Sequence, residues 1–235
     1  MFPPTRLSVV QRLTSADPGE RQIAWDALVT AYWRPVYKYL RARWHLAPEA
    51  AEDLTQDFFA RAFEKGFLES YDPTRARFRT WLRTCLDGVA GHAHEAAARL
   101  KRGGGVTTVP LDFTTAEGEV REIDLAADVD LDGWFHHEFV RALFERAAEA
   151  LRADYNARGR GDHLALFEAY DMADLRDQDR PSYKALADAR GWAVHDVTNR
   201  LAVTRRDFRA HVLRLLREAC ASDDEYEREA RSLFG

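Results

Sequence analysis

Between Tyr71 and Arg83 the chain reads YDPTRARFRTWLR, with Arg75, Arg77, Arg79 and Arg83 set among Tyr71, Phe78 and Trp81. Guanidinium groups neutralise phosphate and flat rings stack on exposed bases, so this pattern suits single-stranded or melted nucleic acid. The same spacing also suits a helix with Phe78 and Leu82 inside and its arginines solvated. Core is the favoured reading for those two residues, and Trp81 fits either.

A second stretch, SYKALADARGWAVHDVTNRLAVTRRDF, covers 182–208. Leu186 and Ala187 belong to one short helix, and Val194, Val197 and Leu201 to the inner side of a second. Gly191 lies between them, where a tight turn needs positive φ. Small and apolar residues at these offsets predict a helix-turn-helix. Its outward residues would be His195, Thr198, Asn199 and Arg200, then Arg205, Arg206 and Arg209. Short polar groups read base edges, and arginines hold phosphate or guanine. An ordinary helical hairpin with a basic face satisfies the same pattern, and Ala193 is a poor N-cap for the second helix.

The third stretch is AEDLTQDFFARAF, residues 51–63. Leu54, Phe58 and Ala62 recur at i, i+4 and i+8, the buried stripe of an amphipathic helix. Asp53, Gln56, Asp57 and Ala60 fall away from it and form an acid-and-amide face able to meet a second protein. Catalytic patterns are missing. His92, His94, His136 and His137 lack the i, i+4 spacing of helical metal ligands, and no GxGxxG, GxxxxGK or GxSxG occurs. The expectation is a non-enzyme with no metal and no cofactor.

Helices must position these groups. Apolar spacing predicts one from Ile23, with Pro35 ending or kinking it, and continuing helix from Val36 to Trp44. Pro48, Glu49 and Glu52 suit the start of the next helix. Asp72-Pro73 makes a turn, and a helix follows from Arg77 to about Leu100. Gly103-Gly104-Gly105 breaks the pattern. An acidic, weakly periodic stretch follows, read as a linker over 103–133 with a short strand or two at 106–113. Helical spacing returns at Trp134, with further helices at about 162–170, 182–190 and 194–217. The acidic tail, 218–235, could form a last short helix with Tyr226, Ala230, Leu233 and Phe234 as its apolar side. The expected fold is all-α, with helical domains at 1–102 and 134–217.

The net charge of −5 argues against a basic surface over the whole molecule. Basic residues instead concentrate in 75–102, where Arg99, Lys101 and Arg102 join the four arginines above, and in 182–217. Two basic patches in an acidic chain suit two anion contacts, although each alone could be a solvated helix face. The widely spaced Cys85 and Cys220 do not suggest a disulfide framework. No apolar run approaches a membrane span, and the N-terminus lacks a signal-peptide core, which points to the cytoplasm.

In this order the stretches resemble bacterial RNA polymerase sigma factors of the extracytoplasmic-function type. That family carries AEDLTQ-E-x-F, then FDP-x-R-x-x-F-R-x-W-L, and ends in Y-x-E-I-A-x-x-x-G-x-S-x-G-T-V-K-S-R-L-x-R-A-R. Here these read AEDLTQDFF, YDPTRARFRTWL and YKALADARGWAVHDVTNRLAVTRR. The resemblance spans roughly residues 20–102 and 134–217. It implies a region 2-like bundle and a region 4-like helix-turn-helix, with core RNA polymerase and promoter DNA as partners. Core binding would fall on Asp53, Gln56 and Asp57. Minus-ten melting would fall on Arg75, Arg77, Arg79, Trp81, Arg83, Arg99 and Lys101. Minus-thirty-five reading would fall on His195, Thr198, Asn199, Arg200, Arg205, Arg206 and Arg209.

The chain departs from the family at several positions. Thr198 and Asn199 stand where the family has Lys and Ser. Gly88, His92 and Glu95 stand where it has Asn, Asp and basic residues. The resemblance admits an anti-sigma factor or a regulatory kinase as a controlling partner, and an acidic linker or tail that covers a basic face. A helix-turn-helix regulator acting without polymerase, and a sigma-like helical scaffold, are the rival readings.

Overall fold

The structure is a computed structural model that describes residues 12–13, 15–64, 70–72, 74–97, 111–120, 130–172 and 180–235. Every regular element among them is a helix, as the all-α expectation required. In chain order these are α1 (Pro18–Trp44), α2 (Pro48–Glu64), α3 (Phe78–Ala97), α4 (Phe113–Val120), α5 (Leu131–Ala157), α6 (Gly161–Tyr170), α7 (Tyr183–Asp188), α8 (Val194–Ala219) and α9 (Asp223–Phe234). None is long and apolar enough to cross a membrane. The chain divides into two units: Met1–Ala142 with Leu216–Gly235, and Leu143–Leu215.

In the first unit α1 is the central helix. Asp17 caps its start by accepting from the Gly19 N–H at 2.8 Å, and Pro18 occupies the first turn. The helix stops where His45 adopts a left-handed φ of 50°. Pro35 does not end α1, which was one of the two outcomes expected of it. Except for Arg34, every residue from Ala31 to Leu40 is buried. That burial holds the segment helical against the roughly 3 kcal/mol an internal proline costs. Tyr32 stacks on Phe139 of α5 with ring centroids 5.0 Å apart, and Tyr39 meets Phe135 edge-on at 5.8 Å.

Leu54, Phe58 and Ala62 of α2 are buried, as their spacing required. Thr55 is buried with them, and its hydroxyl donates to the Ala51 carbonyl one turn back at 2.7 Å. The expected strand at 106–113 lies mostly outside the described residues, and Phe113, its last residue, begins α4 instead. Phe113 packs on Trp33 and Tyr37 at 5.3 and 5.1 Å. Glu117 accepts from Tyr37 and takes a two-point bond from Arg41, while Glu119 pairs with buried Lys38. This helix arises from the acidic stretch because its acids meet fixed cations and its one aromatic meets two others.

The second unit packs Leu151 and Tyr155 of α5, Leu166 and Phe167 of α6, Leu186 and Ala187 of α7, and Val197 and Leu201 of α8. Ser182 caps α7 by accepting from the Ala185 N–H. Gly191 takes φ 64°, and the Trp192 N–H closes the turn onto the Ala187 carbonyl at 3.0 Å. Ala193 offers α8 no side-chain cap. Asp196 compensates by reaching back to accept from the Ala193 N–H at 3.2 Å, one half of a capping box.

Candidate nucleic-acid interface

The start of α3 shows how the first arginine group is held. Asp72 closes an Asx turn by accepting from the Thr74 N–H and hydroxyl, and the Arg75 N–H bonds back to its carbonyl at 3.1 Å. Those two Thr74 bonds hold the exposed Asp72 carboxyl below its usual value. Tyr71, Phe78 and Trp81 form one ring cluster with centroids 5.2–5.6 Å apart. Phe78 and Leu82 are core, and Trp81 is half-buried at its edge.

The arginines separate sharply. Arg75 is exposed and Arg77 is 54% exposed. Arg79 is only 5% exposed, so it is not on the surface where the sequence reading put it. Its guanidinium makes two 2.8 Å contacts with Glu229 of α9. Arg83 is also drawn inward: it donates to Asp132 at 2.6 Å and to Asp87 at 2.7 Å. Asp87 in turn accepts from the Tyr39 hydroxyl and the Trp44 indole N–H. Burial, with the Asp87 bond, pushes the Tyr39 hydroxyl up to about 12. Arg83 therefore serves an internal network. Arg99 and Lys101 lie outside the described residues.

On α2, Asp53 is exposed, while Gln56 and Asp57 are half-buried on the side away from Leu54 and Phe58. Asp57 pairs with Arg61 one turn on.

In the second unit His195, Thr198 and Asn199 are exposed on the first two turns of α8. Ala202, Arg206 and Arg209 continue the exposed face at helical spacing. Arg200 lies over the Trp192 ring at 4.1 Å, which aims its guanidinium along the turn. Arg205 is held elsewhere, in a forked bond to Asp171 at 2.8–3.0 Å that raises its pKa further. Six of the seven expected residues thus line or flank one helical face, and Arg205 braces α8 against the end of α6.

Sequence reasoning missed two groups. Arg158 and Arg160 join Arg206, His211 and Arg214 around an open cleft of about 490 Å³ that also contains Asp154 and Asp207. The signal was the Arg158-Gly-Arg-Gly161 turn, where Gly159 takes φ 63°. The other group is Glu225 and Glu229 of α9, whose acidic composition gave no sign that they would be buried.

Neither a curated protein nor a solved structure matches the chain. Residues 28–100, which contain both the exposed acids of α2 and the arginine–aromatic stretch, match the family model of Sigma-70 region 2.

Proposed function

We propose that this protein is a dissociable sigma subunit of bacterial RNA polymerase, of the extracytoplasmic-function type, acting in the cytoplasm without catalytic chemistry. The region 2 match over 28–100 carries the reading. The Asp53, Gln56 and Asp57 face of α2 grips core polymerase. Arg75, Arg77 and Trp81 engage the minus-ten element, and the His195–Arg209 face of α8 reads the minus-thirty-five element. Anchoring is electrostatic, duplex readout is helix-in-groove, and unpaired bases stack on the aromatic edge.

The test is run-off transcription with core polymerase on a promoter library. Specific transcripts are expected only when both protein and core are present. An Asp53→Ala/Gln56→Ala variant should lose at least roughly tenfold in core capture, the loss of one or two interfacial hydrogen bonds. Promoter-duplex binding that needs no core, with core capture absent in the parent protein, would favour a plain helix-turn-helix regulator instead. The exposed α8 face would suffice for such a protein.

A further inference from the structure

The inward face of α9 is built from carboxylates. Glu225 and Glu229, one turn apart, are each 3% exposed, while Asp224, Glu227, Arg228 and Arg231 face solvent. The expected apolar side, Tyr226, Ala230, Leu233 and Phe234, is only partly buried. Glu225 accepts from the Phe78 N–H at 3.0 Å, at the first turn of α3, and from the Ala221 N–H at 2.9 Å. Glu229 takes the forked bond from Arg79 and lies 3.5 Å from Arg77.

These are the two kinds of contact a nucleic-acid backbone makes: one anion on a helix N-terminus and another in an arginine fork. A buried ion pair is a poor device for stability alone, because apolar residues of the same volume do as well or better. We propose that α9 is an internal phosphate mimic. It covers Arg79 and the start of α3 in the free protein and must lift before that surface can hold the backbone of melted DNA. This rests on the sigma reading above. Ser222 caps α9 by accepting from the Glu225 N–H, so the helix keeps its own start when it leaves. Asp223 also pairs with Arg217, whose guanidinium lies over the Tyr226 ring at 4.2 Å, and these contacts part with the carboxylate bonds when the helix lifts.

The test uses the full chain and a fork of random-sequence duplex with an unpaired dT tail, since arginine–phosphate contact does not depend on sequence. Glu229→Gln should bind the fork roughly tenfold more tightly, as expected for one freed charge-assisted contact. Its log–log salt slope should steepen by about 0.7. Because the variant strands Arg79 and could lose structure, amide exchange is read on the unaltered protein as well. Residues 223–234 should exchange faster once the fork is bound. Unchanged affinity together with undiminished protection of α9 in the bound state, while run-off transcription succeeds, overturns the cover and spares the sigma reading. Failure of run-off transcription overturns the sigma reading and this inference with it.

Discussion

Arg77 and Arg79 are two residues apart in sequence and in opposite environments. One reaches solvent and the other is locked to Glu229. Composition could not separate them, because the fate of Arg79 depends on a carboxylate 150 residues away. The α8 side chains were far more legible. Their exposure follows from helical phase once Val197 and Leu201 are assigned inward. This face carries its own prediction. Asn199→Ala should relax base preference at one promoter position, by about 1–3 kcal/mol of discrimination if the contact is bidentate. Arg206→Ala should weaken all sequences alike and reduce the magnitude of the salt slope by about 1. Binding to a randomised minus-thirty-five library at several salt concentrations separates the two. Equal effects on every sequence from both variants would remove the base-reading role of Asn199.

Helices were foreseen wherever apolar spacing ran for several turns, and their starts agreed at Pro48 and close to Arg77. Two helices show why local signals fall short. Pro35 signals a break or a kink, yet α1 continues through it because neighbours cover nearly every side of that segment. Helix α4 has almost no signal of its own and forms where Phe113, Glu117 and Glu119 find partners on α1. Phe113→Ala should therefore destabilise the first unit by about 2 kcal/mol, below the 3–5 of a fully buried phenylalanine because Phe113 is only partly covered. Urea denaturation should show a lower midpoint with unchanged slope. An unaltered midpoint would mean that α4 contributes nothing to the fold. Asp196→Ala tests the start of α8 in the same way, with an expected cost of about 1 kcal/mol. The readout is amide exchange through residues 194–200, and unchanged exchange there would count against the cap.

At the scale of the whole molecule, stability should depend on pH through two half-buried imidazoles. Burial holds His136 and His163 below the usual histidine value, and Nδ1 of each is buried with no hydrogen-bond partner. The unfolded chain therefore takes up protons first as pH falls through about 6.5. The stability these groups permit at neutral pH is lost as pH drops from there toward their folded values. Glu225 works in the opposite direction: burial raises its pKa, so stability recovers as it protonates at lower pH. Urea midpoints at pH 7.5 and 5.5 should differ less in a His136→Phe/His163→Phe variant than in the parent protein, and an equal difference would exclude these histidines as the cause.

By itself the sequence determined the helical class, the phase of α2 and α8, and the resemblance on which the sigma reading rests. Each depends on periodicity or on residues close together in the chain. Only tertiary structure decided that α4 exists, that α1 runs through its proline, and that Arg79 and Arg83 turn inward. It also decided that an acidic C-terminal helix sits on the start of α3. These outcomes turn on which charge meets which across long separations, and burial and ion pairing are properties of the packed molecule that no local pattern encodes.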